Sequence, residues 1–331
     1  MTTPESQVRR APGDGPPAGL CSEISAERGL PLIGSAGCYD GVLAFELDAP
    51  WTPRLAGSRA SDGGLDAAIG RIATGARGVR LLALEPREPL PQHARRESVR
   101  VLHFFKSKGP FGAFSRREYD VRRDDLAASL ERLAAGGLAG AEEISGPDGQ
   151  RDILVCTHGA RDACCGKFGY RLFLEMSASA GPLHEIHEPL RVWRSSHLGG
   201  HRFAPTLLDL PSGRMYGRMT DGDAATVLGG GAALVARLSS IYRGRCALPE
   251  AAQIVERELW ARAGATFELA ALRWQVDEVV AGWCVRIDAE RVGAPPLSMT
   301  AQVIRADIDA VETPASCGRD PESEAPWRIL S

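Results

Sequence analysis

Apolar and polar positions first fall into a regular pattern at Gly41, where GVLAFELDAPW predicts a strand closed by Pro50. The segment DAAIGRIATGARG, Asp66 to Gly78, predicts a helix feeding a second strand, VRLLALEP, which makes a βαβ opening. A further strand is expected over Val99 to Phe105, then FKSKGPFGAFSRREYDV as a glycine-containing turn, then an amphipathic helix over Arg123 to Ala135. The AAGGLAG run from Ala134 closes that helix and reads as a joint. The pattern then restarts with a strand at Asp152 to Val155, a loop carrying cysteines and a helix from about Gly166 to Ser177. Short strands follow at Leu190 to Trp193, Phe203 to Leu210 and Met215 to Met219, the last two joined by the turn Pro211-Ser212-Gly213. A helix over Asp223 to Ile241 is interrupted by Gly229-Gly230-Gly231. From Pro249 the chain reads as a helix, EAAQIVERELWARAG, two strands at Trp274 to Asp288 and Met299 to Asp309, and an irregular tail containing Cys317. The expected fold class is α/β (α+β), with one α/β unit over 31–145, a second over 146–245 and a smaller α+β appendage over 246–331. Residue identity between the two units is too slight to claim a duplication. Residues 1–30 are expected as a mobile tail, on the strength of the Pro- and Gly-rich first eighteen.

Charge narrows the range of partners. Lys plus Arg number 39 against 42 Asp plus Glu, a formal charge of -3, so no global positive field is present to hold nucleic acid or an anionic membrane surface. The first twenty residues lack the apolar core of a signal peptide, and no stretch approaches the roughly 18 apolar residues of a spanning helix. A soluble cytoplasmic protein with no membrane attachment is expected. Its eight cysteines are spread over 331 residues, so in a reducing compartment they are expected as thiols or metal ligands.

Chemistry concentrates in DILVCTHGARDACCGKFG and VWRSSHLGGHRFAP. Cys156 ends an apolar strand, Cys164 and Cys165 stand at the mouth of a helix, and a second loop presents His197 and His201. If the two strands are parallel, both loops leave the same edge of the sheet and these groups converge. Backbone N–H groups at a helix start and in glycine-rich turns stabilise thiolates and bridging sulfides. Gly199 and Gly200 let the backbone wrap closely around a ligand. Two thiolates with two imidazoles suit zinc or a 2Fe-2S cluster, and spacing alone allows either cysteine of the Cys164-Cys165 pair. Cys156-Thr157-His158-Gly159 is similar to the first box of Rieske proteins, but the second box is absent, so His158 is assigned a supporting role.

The run Cys156-Thr157-His158-Gly159-x-Arg161-Asp162-x-Cys164-Cys165, with Trp193-Arg194-x-Ser196-His197-x-Gly199-Gly200-His201-Arg202-Phe203-Ala204-Pro205, resembles the sucrase/ferredoxin-like family. Leu210 to Gly217 and PASCGRDP around Cys317 add to the resemblance. It implies a thioredoxin-like ferredoxin domain over 146–245, with C-x8-C kept and the later cysteine pair replaced by H-x3-H. The implied ligands of a 2Fe-2S cluster are Cys156 and Cys165 on one side and His197 and His201 on the other. An oxidised cluster so held is neutral, which eases reduction. Its potential is expected well above the roughly -400 mV of plant-type ferredoxins, toward the Rieske range of about -150 to +300 mV. Ligated imidazole retains a second nitrogen, so electron transfer is expected to couple to protons, with a potential that falls as pH rises. His158, Arg161, Cys164, Lys167, Arg194 and Arg202 are the surrounding residues expected to tune the site or guide a partner, itself an unidentified redox protein acting as electron donor or acceptor.

Three rivals remain open. The same ligands could close a structural zinc site, and Cys164 with Cys165 could serve thiol-disulfide exchange on a thioredoxin-like fold, although adjacent cysteines strain a disulfide. Glycoside hydrolysis needs two carboxylates across a cleft, and neither Glu185 with Glu188 nor Glu142 with Glu143 is placed so by the sequence. His184 and His187 are a conceivable metal pair in a surface loop. The basic run from Lys106 to Arg117, with Phe105, Phe111 and Phe114, is read as a solvated loop packing its phenylalanines inward; no nucleic-acid partner is expected. Cys246 and Cys284 are read as core residues.

Overall fold

After a short helix, α1 (Cys21–Glu27), two stretches of chain follow one plan. The first runs β1 (Gly41–Glu46), α2 (Gly63–Gly75), β2 (Val79–Leu84), β3 (Ser98–Phe105), β4 (Ser115–Arg122) and α3 (Leu126–Ala134). Strand β1 is parallel to β2 and antiparallel to β3, which pairs antiparallel with β4. A two-residue strand, β5 (Glu142–Glu143), extends that edge. The second stretch runs β6 (Arg151–Cys156), α4 (Tyr170–His184), β7 (Leu190–Ser195), β8 (Leu207–Leu210), β9 (Arg214–Tyr216), α5 (Asp223–Gly229) and α6 (Gly231–Ile241). Here β6 is parallel to β7 and antiparallel to β8, which pairs antiparallel with β9. Strand order and polarity are therefore the same twice, the arrangement expected of a thioredoxin-like unit, and the duplication that residue identity left unclaimed is present in topology. The computed structural model describes residues 19–75, 78–87, 97–144, 146–184, 189–264 and 268–330.

The two units meet where β2 and β7 pair at Leu84 and Ser195, and β10 (Tyr242–Arg245) adds to β9, giving one mixed ten-stranded sheet. Alternation along each strand decides what its faces bury. Val42 and Ala44 of β1 enter a core shared with Leu154 and Cys156 of β6, Trp193 of β7 and Leu208 and Leu210 of β8, whereas Leu43 and Phe45 face the other way, onto α2 and α3. Ile153 and Val155 of β6 likewise face an outer core lined by α4 to α6. Strands buried on both faces read as near-continuous apolar runs, as GVLAF and ILVC do. Phe111 and Phe114 pack inward as expected, into the shared core.

The remaining chain, α7 (Glu250–Ala263), β11 (Leu269–Val279), β12 (Gly282–Arg291), β13 (Ala294–Arg305), β14 (Val311–Pro314), β15 (Pro321–Glu324) and β16 (Trp327–Leu330), forms the α+β appendage. Its antiparallel sheet, β11-β12-β13-β16, closes the outer core of the second unit.

Several expectations need correction. The strand over Trp274 to Asp288 is two strands of a hairpin turning at Gly282, where φ is +98° and a Cβ would meet the Val303 carbonyl oxygen at 2.2 Å; apolar neighbours on both sides hide the turn. Ser115 to Arg122 is a full strand, its charges sitting among ion pairs on the sheet. The tail beyond Asp309 is ordered into β14 to β16, and within the presumed N-terminal tail Cys21 to Glu27 is helical with Cys21 buried. Glu142 and Glu143 are adjacent residues of the two-residue strand β5, and both are exposed. Glu185, His187 and Glu188 lie outside the described residues, as does the side chain of His184. Among the described residues no helix is long and apolar enough to cross a membrane.

Candidate metal centre

Strands β6 and β7 are parallel and in register, with Cys156 beside Ser195, so the loops that follow them leave one end of the sheet together. Cys156 shares the parity of Leu154 along β6, which puts its side chain into the core between the two units. The first loop returns through Cys164 and Cys165 into a wide π-helical turn, Cys165–Gly169, that runs on into α4. Such turns are uncommon and concentrate at functional sites. Two close approaches require glycine here. A Cβ on Gly169 would stand 1.9 Å from the Cys156 carbonyl oxygen, and one on Gly166 would stand 2.9 Å from the Cα of Gly159. The second loop turns through Gly199 and Gly200, with φ of +94° and +70°, and delivers His201 on a short 3-10 turn.

A sulfur from Cys156, a sulfur from Cys165 and a ring nitrogen from His197 lie within 4.8 Å of one another. His201 stands outside that tight trio but beside it, its ring centroid 4.9 Å from that of His197 and inclined by 35°. Its Nε2 lies 3.8 Å from Oδ2 of Asp162. Among the described residues, Nδ1 of His197 and Nδ1 of His201 are both buried without a hydrogen-bond partner. Buried nitrogens are rarely left so. The His197 ring next to two buried thiols, with the His201 ring beside it and both Nδ1 atoms orphaned, forms a donor set that a thiophilic metal centre satisfies, so the residues fit zinc or an iron-sulfur cluster.

The electrostatics favour a metal-binding thiol. Cys156 is held below the ordinary thiol range by the S–H of Cys165, against the cost of burial and with the help of His197. The same bond, together with burial, pushes Cys165 up, so the pair shares one proton. Burial presses Asp162 upward, but N–H groups of Cys317 and Cys164 and the Ser316 hydroxyl outweigh it and hold the carboxyl at about 2.

The surrounding residues divide by role. His158 accepts a bond from the His197 N–H at Nδ1 (3.3 Å), so its Nε2 carries the proton and donates to the Thr52 carbonyl at 3.0 Å. It also meets the edge of Trp51. With both nitrogens engaged, it braces the His197 backbone against the first unit. Cys164 turns away from Cys165, its sulfur contacting Ser22, Cys21 and Cys317, so the adjacent cysteines do not face each other as a redox pair. Arg161 is exposed. Lys167, Arg194 and Arg202 are each ion-paired, to Glu23, Glu85 and Glu324, so the expected basic rim is largely neutralised. The buried cation near the thiols is instead Arg243 of β10, which donates to the Gly199 carbonyl and the Ser35 hydroxyl at 3.0 Å each. A Cβ on Gly200 would lie 2.3 Å from its guanidinium. Arg80 donates to the His197 carbonyl. Neither arginine was singled out from sequence, because a charged residue in a short strand reads as solvent-facing.

A family model described as sucrase/ferredoxin-like matches residues 32–261 of the chain. No curated protein and no solved structure matches.

Proposed function

This chain belongs to the sucrase/ferredoxin-like family, and on that premise we propose that it binds a 2Fe-2S cluster through Cys156, Cys165, His197 and His201 and serves electron transfer or redox sensing in the cytoplasm. The observation that carries this reading is the buried trio of the Cys156 and Cys165 sulfurs with a ring nitrogen of His197, the His201 ring lying beside that of His197 and both Nδ1 atoms partnerless. When bound, the cluster supplies one-electron chemistry. The protein's own part is placement and shielding. Cys156 is held below the ordinary thiol range, His158 and Arg80 fix the backbone of His197, and Arg243 brings a buried positive charge to two sulfurs that would carry negative charge as ligands. Opposite charge in a low-dielectric core stabilises the thiolate form and raises the potential of a bound centre. The first unit contributes the wall, through Trp51 and the Thr52 carbonyl. The partner is an unidentified redox protein acting as donor or acceptor, with no part for nucleic acid or membrane.

The test is an absorption spectrum with metal and sulfide analysis on protein purified without oxygen, then dithionite reduction. Visible bands that bleach, with about two irons and two sulfides per chain, are the expected outcome for a 2Fe-2S centre. Replacing Cys165 with Ser is expected to abolish the bands. A colourless protein holding zinc on two sulfurs and two nitrogens would overturn the proposal.

A further inference from the structure

Next to this centre, and not used by it, three more cysteines converge. We propose that Cys21, Cys164, Cys317 and Asp162 form a second metal site, a four-coordinate structural zinc site of three thiolates and one carboxylate. The sulfur of Cys21 lies 3.5 Å from that of Cys164 and 3.6 Å from that of Cys317, and Cys164 and Cys317 are 3.3 Å apart. Oδ1 of Asp162 completes the figure at 3.2 Å from the Cys317 sulfur and 3.8 Å from the Cys21 sulfur. An ion with tetrahedral bonds of about 2.3 Å to sulfur and about 2.0 Å to oxygen sets its donors about 3.8 Å (S···S) and about 3.5 Å (S···O) apart. All four donors thus enclose one point at single-ion spacing. A 2Fe-2S cluster instead divides its ligands between two irons.

The setting is that of a ligand shell. Asp162 is aimed by the Cys164 N–H on Oδ1 (2.9 Å) and by the Cys317 N–H (2.9 Å) and Ser316 hydroxyl (2.8 Å) on Oδ2. The Ser22 hydroxyl donates to the Cys164 sulfur at 3.2 Å. Hydrogen bonds of this kind orient metal ligands and tune their basicity. Cys21 and Cys164 are fully buried, whereas Cys317 is partly exposed, which gives an ion a way in. The three thiols sit in an apolar surround of Leu20, Phe168 and Ala204, and within it they meet around a carboxylate, which apolar packing does not call for. Two of the donors, Cys21 and Cys317, lie outside residues 32–261, the span matched by the family model. Its effect would be to staple α1 and the loop between β14 and β15 onto the loop that opens α4. Closing segments so distant in sequence with an ion stabilises the fold by restricting the unfolded chain.

The experiment uses the full chain, purified anaerobically without chelators. Zinc at about one per chain is expected, with X-ray absorption at the zinc edge showing three sulfurs and one oxygen. The double variant Cys21→Ser, Cys317→Ser is expected to lose at least tenfold of the zinc while iron and sulfide stay unchanged, since neither residue belongs to the neighbouring centre. Should that variant fail to fold, cobalt(II) added to zinc-stripped wild-type chain supplies the readout through tetrahedral thiolate absorption bands. Zinc retained in the folded double variant, zinc bound by two sulfurs and two nitrogens, no zinc or cobalt uptake, or a disulfide among Cys21, Cys164 and Cys317 in non-reducing peptide mapping would each overturn the proposal.

Discussion

Gly169 has no side chain because the Cys156 carbonyl oxygen already occupies the place, 1.9 Å from where a Cβ would sit. Gly169→Ala must push the π-helical turn off β6, at a cost of about 1–3 kcal/mol or more for an overpacked core. Denaturant unfolding should show that loss, and iron retention should fall with it, because Cys165 begins the displaced turn. His103 on β3 offers a pH test remote from the metal donors. Burial, then the facing Arg117, lowers its pKa from 6.5 to about 4. Between those values the unfolded chain takes up a proton that the folded chain refuses, so stability falls as pH drops from about 6.5 toward about 4. His103→Gln is expected to flatten the dependence of the denaturation midpoint over that window, and an unchanged slope would refute this account. Single residues were also where the sequence was most and least readable. Cys156, the Cys164-Cys165 pair, His197 and His201 stood out because glycine-rich loops after apolar strands are unusual places for such side chains, while the choice of Cys165 within the pair rested on the family resemblance. Arg243 did not, since its role depends on a core formed by two units whose docking no local pattern encodes. The grouping of Cys21, Cys164 and Cys317 was equally hidden, because no periodicity relates residues so far apart.

Elements followed the hydrophobic pattern wherever alternation or a continuous apolar run persisted, as in β1, β2, β6 and α7. They departed from it where a turn lay inside apolar sequence. At β11–β12 the VVAGWCV stretch gives no polar break, and only Gly282 permits the reversal. Gly282→Ala puts a Cβ 2.2 Å from the Val303 carbonyl at a φ of +98°, so unpairing of β12 from β13 is the expected response. Thermal unfolding should move down by several degrees, in line with a cost of about 1–3 kcal/mol. The metal-centre absorption of the folded variant should be unaltered, because the hairpin contributes no residue to that centre. The break between α5 and α6, by contrast, was visible as three consecutive glycines and falls at Gly230, where φ is +65°.

At the scale of the whole molecule, the two units are held together by charge as well as by their shared core. Arg191 of β7 bonds Asp152 of β6 at 2.7 Å and Glu118 of β4 at 3.0 Å, and all three are buried; Trp193 donates to the same Asp152. Removing the cation leaves two carboxylates in the core with their compensation reduced to Arg116 and Arg100. Arg191→Met is therefore expected to cost roughly 3–5 kcal/mol, whereas breaking an exposed pair such as Arg286 with Asp288 should cost far less, because solvent screens it. Equal effects in urea titrations of the two variants would show that the buried network does not tie the units together. The ten-stranded sheet also had to end somewhere. One margin is β5, two residues long and made of two exposed glutamates; the other is β10, whose four residues are all buried and whose Tyr242 and Arg245 are bonded to Glu256 of α7. A long sheet with open margins would invite strands from neighbouring molecules. Here one margin repels them and the other is roofed over, so this sheet is protected from strand exchange with its own copies at high concentration.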